Sequence, residues 1–186
     1  GRFDTRLSLS SANVDAVIKK RILEKNDTAA QTLRLLYGQE ETTIKNKIVF
    51  TDSVERKLYT GKDDFAAVYP FIPYQFNLLG SVLTAIRTHG ASGKHLSEGE
   101  RSMLAMFKES AVAYMHEQQS TIIPFYAFYT PMENFLDHSH RSVIIKAYEN
   151  DYINPAHKTG DVFAINVLKT LFLIKYVQDM TPNIDN

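Results

Sequence analysis

The chain has no cysteine among its 186 residues, which excludes disulfide bridges and thiolate chemistry. It also lacks a net charge, because 21 basic side chains balance 21 acidic ones. No overall field therefore attracts the chain to nucleic acid or to an anionic membrane, although a local basic patch is compatible with this balance. The absence of cysteine fits a reducing compartment, and we expect a cytoplasmic protein.

Long hydrophobic runs are missing as well. The most apolar segment, residues 162–177, is interrupted by Asn166, Lys169 and Lys175, and no basic stretch followed by an apolar one opens the chain. We therefore expect no membrane partner. Because the chain starts at Gly1 rather than Met and stops soon after the helix-breaking sequence Thr-Pro-Asn, we expect it to be an internal piece of a longer protein.

Apolar residues recur at helical spacing along most of the chain, which predicts a mainly α fold. A short strand is predicted at residues 3–9, where the pattern F-x-T-x-L-x-L alternates. The two prolines of residues 69–73 predict a rigid connector, and Pro73 is suited to the first turn of the next helix. Helices are predicted over residues 14–22, 28–37, 73–88, 97–115, 131–136, 139–148 and 161–180. The last of these is predicted to be buried on nearly all sides.

Residues 92–110, SGKHLSEGERSMLAMFKES, combine a glycine-containing loop with a helix start. Ser97 and Glu100 have the S-x-x-E spacing of a capping box, which predicts that the helix begins at Ser97. Arg101 lies in its first turn, where the free amides already favour an anion and a guanidinium adds a bidentate clamp for phosphate. The predicted buried face comprises Leu104, Phe107, Ala111 and Met115, with Met103 and Tyr114 widening it.

A simpler interpretation of Arg101 exists, and one phosphate-binding motif can be excluded in this segment. Arg101 can pair with Glu98 or another acid and merely solubilise the helix, as most surface arginines do. Residues 90–94, Gly-Ala-Ser-Gly-Lys, are not a Walker A loop, because that motif requires G-x-x-x-x-G-K-[ST] and His95 follows the lysine here.

Other constellations give no catalytic site. His138 and His140 lack an evident third ligand, so we predict no metal site. No nucleophile stands in a recognisable motif. The densest basic run consists of Lys19, Lys20, Arg21 and Lys25. It is interpreted first as a solvated helix face.

Longer strings carry a resemblance to a known family. Gly1-Arg-Phe-Asp4 with the following strand and helix, and Gly99-Glu-Arg101 at a helix start, together resemble an AAA+ ATPase lid. The runs RFDTRLSLSSANVDAVIKKRILEKN, YPFIPYQFNLL, HGASGKHLSEGERSMLAMFKES and VLKTLFLIKYV resemble the large P-loop ATPases of BREX bacteriophage-resistance systems, the BrxC or PglY family. The resemblance covers nearly the whole chain.

The resemblance implies a large parent protein that binds ATP and magnesium and acts with other BREX components against phage DNA. Contact with DNA through the parent assembly and self-association of the parent are further implications. Arg101 is expected to act as a sensor 2 arginine that reads the bound phosphates. Arg2 is a possible arginine finger, and Arg6 is a third possibility.

The same resemblance divides the chain into three parts. Residues 1–10 correspond to the end of the ATPase αβ core, 11–120 to an AAA+-like helical lid, and 121–186 to a helical extension that leads to a downstream domain. Walker A and Walker B elements are missing, so the fragment is expected to hold no cofactor and to be inactive alone.

The alternative is a helical protein- or DNA-docking module without a nucleotide role, for which the basic run between Lys19 and Lys25 is the natural surface. Binding to phosphates through such a surface weakens steeply as the salt concentration rises.

Overall fold

The computed structural model describes residues 11–50, 56–89, 100–115 and 121–177. Within these ranges the chain is mainly α, as predicted, and contains eight α-helices and two short 3-10 helices. The predicted strand at residues 3–9 lies outside them. The α-helices are α1 Ser11–Arg21, α2 Asp27–Lys47, α3 Lys62–Val68, α4 Pro73–His89, α5 Glu100–Tyr114, α6 Tyr129–Met132, α7 His138–Glu149 and α8 Phe163–Ile174. The 3-10 helices are Phe125–Phe128 and Glu133–Phe135.

The chain divides into two compact units. The first unit comprises Gly1–Leu78 and Glu98–Ile123, and the second comprises Leu79–Ser97 and Pro124–Asn186. The division therefore falls inside α4, between Leu78 and Leu79. Each unit has its own set of fully buried side chains, such as Phe65 and Phe107 in the first and Phe128 and Ile165 in the second.

Aromatic side chains form the core of the first unit. The Phe65 ring contacts the rings of Tyr37, Tyr59 and Tyr69 at centroid distances of 5.1, 5.0 and 5.4 Å. Phe107 of α5 contacts Phe71 at 4.7 Å and stacks on Phe76 at 4.6 Å. Such pairs contribute beyond their buried area, so these aromatic contacts hold α2, α3, α4 and α5 together within the unit.

Helix α2 is longer than its sequence pattern predicted. The side chain of Asn26 caps its start by accepting a hydrogen bond from Ala29 N at 2.8 Å. The helix then continues to Lys47 because Tyr37 and Ile44, two turns apart, are both buried, and α3 packs along it. Packing of this kind stabilises a helix whose local pattern is weak.

The connector between α3 and α4 was predicted correctly. Residues 69–72 are not helical, and Pro73 is the first residue of α4. Gln75 is fully buried and bridges the connector to the segment after α5: its Oε1 accepts from Ile72 N at 2.9 Å and its Nε2 donates to the carbonyl of Ile123 at 2.8 Å. These bonds fix the start of α4.

In the second unit, α8 packs against α7 and against the 3-10 helix Phe125–Phe128. Ile165 and Leu173 are buried, but Phe163, Val167 and Leu171 are 84%, 43% and 54% exposed. The prediction that this helix is buried on nearly all sides is therefore wrong. Residues four apart lie on one face of a helix, and this face has no cover within the described part of the chain.

None of the helices in the described ranges has both the length and the apolarity needed to cross a membrane.

Candidate functional site

Arg101 is the second residue of α5 and is exposed. The buried face of α5 consists of Ser102, Met103, Met106, Phe107 and Ser110, and Arg101 lies beside this face rather than within it. The guanidinium is therefore presented to solvent from the first turn of the described helix. A guanidinium can bind phosphate through two parallel hydrogen bonds, so the exposed Arg101 is chemically suited to contact a phosphate.

The buried face of α5 differs from the predicted one. Phe107 is fully buried as expected, and Met103 is 7% exposed. Met115, which the pattern placed on the same face, follows the last residue of α5 and is 65% exposed. The centre of the buried face lies nearer to Met103 and Met106, and Arg101 is on the exposed side.

An ion pair connects the end of α1 to the start of α5. Arg21 Nη1 lies 3.9 Å from Glu100 Oε1, and the Glu100 side chain is more shielded from solvent than that of Arg21. Pairs with an exposed partner contribute little to stability. This contact nevertheless places a second arginine near the residue that precedes Arg101, and the sequence pattern did not indicate it.

Several predicted features fall outside the described residues. They are Arg2, Arg6, the Ser97 half of the predicted capping box, Glu98 as a possible partner of Arg101, and the glycine-containing loop of residues 90–94. Of the predicted site residues, Arg101 alone is described, so the structure gives no distance between Arg101 and Arg2.

The basic run does not form one solvated face. Lys20 and Arg21 are exposed on α1, whereas Lys25 lies beyond the end of that helix and is half-buried. Lys25 Nζ donates a hydrogen bond to the carbonyl of Ala67 in α3 at 3.2 Å, and burial lowers the pKa of Lys25 to about 8. Lys25 is therefore a structural contact of α3 rather than part of a basic surface on α1.

A charged cleft of about 650 Å³ in the first unit was missed by the sequence reasoning. Lys19, Arg56 and Lys57 line it together with Asp15 and Asp64. Burial raises the pKa of Asp15, while Lys19 and Lys57 oppose this effect, so these charges lie close together. Arg56 and Lys57 belong to a segment without clear periodicity, which is why the pattern gave no sign of them.

His138 and His140 have different surroundings although both belong to α7. His138 is exposed, whereas the His140 ring is buried and stacks on Phe172 with a centroid distance of 4.2 Å and an interplanar angle of 10°. Lys175 Nζ lies 3.3 Å from His140 Nε2. A neighbouring ammonium can only donate, so Nε2 accepts and the imidazole is neutral in this arrangement.

No protein-family model matches the chain, and no solved structure matches it.

Proposed function

We propose that this chain is the helical lid region of a large P-loop ATPase of a BREX phage-resistance system. In this role it senses the nucleotide state of an ATP and magnesium site in another part of the parent protein and relays that state to other BREX components. The long strings quoted above support the family. The single structural observation that supports the role is Arg101, exposed in the first turn of a helix whose other face is buried.

We assign a separate role to each of two arginines. Arg101 contacts the phosphates of ATP held by the Walker A and Walker B elements of the parent, and Arg2 is a candidate for reaching the nucleotide of a neighbouring subunit. Because α5 is packed against α1 and connected to it by Arg21 and Glu100, a movement of Arg101 is transmitted to the first unit as a whole. We assign no catalytic base to the described residues, and the chain is expected to be inactive alone.

Replacement of Arg101 in the full-length parent tests the sensor role. We expect Arg101→Ala to lower ATP turnover about 100-fold, the scale at which removal of one charge-stabilising donor acts, and to weaken phage restriction. Lys108→Ala is the matched control, since Lys108 is an exposed cation on the same helix and its loss is expected to leave both activities unchanged. Wild-type turnover and restriction in Arg101→Ala would show that the sensor role is wrong.

The second candidate is a DNA-docking module, and the charged cleft is the observation that favours it. Lys19, Arg56 and Lys57 converge there, and Lys20 is exposed nearby in the chain. Asp15 and Asp64 in the same cleft reduce its attraction for phosphate. Gel-shift titration with duplex DNA at two salt concentrations separates the candidates: binding that weakens steeply with salt supports docking, and absence of binding at low salt eliminates it.

A further inference from the structure

A second cavity in the first unit, of about 500 Å³, has the size of a small-molecule pocket. Its walls come from the segment after α1, the first turns of α2, the start of the connector after α3, the last turn of α5 and the segment that begins at residue 121. Most of the lining is apolar, including Ile22, Leu33, Leu36, Pro70, Ala111 and Ile123. These segments lie far apart along the chain, and no sequence pattern predicted that they meet.

Among the described residues that line this apolar cavity, one is a cation, Lys25. Lys25 is held there by its bond to the carbonyl of Ala67. Burial alone lowers its pKa, without the opposing effect of a neighbouring carboxylate. Glu24 also lines the cavity but is exposed. A charge in a partly apolar site is costly unless a counter-charge pairs with it, so an anion that entered the cavity would gain from meeting Lys25.

We propose that this cavity binds a small amphiphilic anion, with an apolar body among Leu33, Pro70 and Ile123 and one acidic head group at Lys25 Nζ. A neutral apolar molecule fits the walls but leaves Lys25 without a counter-charge. A highly charged molecule fits the lysine but not the apolar walls. The site is independent of the nucleotide role.

A pair of fluorescent probes that differ only in charge tests this site. Anilinonaphthalene sulfonate carries an aromatic body and one anionic group, and phenylnaphthylamine is the same body without the sulfonate. The whole chain is titrated with each dye. We expect Lys25→Met, which removes the charge and keeps most of the side-chain length, to weaken binding of the anionic dye about tenfold, because a typical charge-assisted contact has this magnitude. Binding of the neutral dye is expected to stay unchanged.

Three further variants complete the test. Lys20→Met removes an exposed cation from α1 and is expected to change neither affinity. Ala111→Phe places a ring in the cavity and is expected to abolish binding of both dyes. If circular dichroism shows that Ala111→Phe is unfolded, Ala29→Phe replaces it in the test, because it fills the cavity from α2. Equal binding of the anionic dye by wild type and Lys25→Met, or equal weakening of both dyes, overturns the assignment of the head group. Dye binding that survives both cavity-filling variants overturns the site.

Discussion

Two buried amide side chains, Gln75 and Asn154, satisfy backbone groups where no helix continues. The side-chain amide of Gln75 forms hydrogen bonds with both the connector and Ile123. Asn154 Nδ2 donates to the carbonyls of Tyr148 and Lys158 at 2.9 and 2.8 Å, and its Oδ1 accepts from Lys158 N at 3.0 Å. Buried backbone groups without a partner are costly, so each amide determines the path of the loop around it.

Replacement of Gln75 by leucine tests this role in the first unit. The change introduces an apolar side chain of similar size and leaves Ile72 N and the carbonyl of Ile123 without their Gln75 partners. We expect the free energy of unfolding to fall by about 2 to 4 kcal/mol, the cost of two unsatisfied buried groups. Urea denaturation measures the change. Asn77→Ala, at an exposed position on the same helix, is expected to stay within about 0.5 kcal/mol of wild type, and equal losses in the two variants would contradict the assignment.

The candidate site shows what a residue type and its spacing can indicate. The exposed position of Arg101 follows from its place on the helical wheel, since it lies at the edge of the apolar stripe of α5. The environment of Lys25 does not follow from spacing, because its partner Ala67 lies 42 residues further along the chain. Arg21 and Glu100 likewise meet only because α1 packs against α5. Sequence patterns therefore indicated the exposed position of Arg101 but neither of these long-range contacts.

The start of α4 at Pro73 was predicted correctly, whereas the burial of α8 was not. Pro73 begins α4 as expected because its fixed φ suits the first helical turn. The pattern of α8 shows apolar residues around most of its circumference, but burial depends on whether another element lies against each side. Only the face with Ile165 and Leu173 is covered among the described residues, and Phe163 is 84% exposed. Periodicity defines faces, and tertiary packing decides which of them are buried.

The contribution of the N-cap residue Asn26 to the stability of α2 can be tested by mutation. Asn26 has extended backbone geometry and its side chain accepts from Ala29 N at 2.8 Å, which satisfies one of the free amides at the start of the longest described helix. We expect Asn26→Ala to lower the free energy of unfolding by about 1 kcal/mol and Asn26→Asp to retain most of the stability. Urea denaturation measures both.

The matched control is Asn46→Ala, at an exposed position near the other end of α2. Alanine is the better helix former, so this change is expected to be neutral or to stabilise by a few tenths of a kcal/mol. A loss in Asn46→Ala as large as that in Asn26→Ala would show that general effects of asparagine removal, rather than the cap, explain the result.

Across the whole molecule, the stability contributions of two basic groups, Lys25 and His140, respond to pH in the same direction. Burial lowers the pKa of Lys25 in the first unit to about 8, and burial together with Lys175 lowers the pKa of His140 in the second unit, while Asp137 opposes this effect. A group that binds its proton more weakly when folded makes the folded state more stable as the pH rises through the interval between its two pKa values. The fold therefore gains stability from His140 at mildly acidic pH and from Lys25 above pH 8.

The pH interval between the unfolded and folded pKa values of His140 is suited to measurement. The unfolded histidine takes up a proton near pH 6.5, whereas the folded one resists protonation because its ring is buried against Phe172 and Nε2 faces Lys175. The stabilisation is fully present above pH 6.5 and is lost as the pH falls from there toward the folded pKa. We expect the free energy of unfolding of the wild type to decrease between pH 7.5 and 5.5, with a contribution from His140 of at most about 1.4 kcal/mol per pH unit. Urea denaturation at a series of pH values across this range measures the change.

His140→Gln is expected to flatten the profile, while His138→Gln, at an exposed position on the same helix, is expected to keep it. Asp137 does not interfere, since hydrogen bonding from Ser139 lowers its carboxyl pKa and moves its titration further below this range. An unchanged slope in His140→Gln would show that the pH response arises elsewhere in the chain.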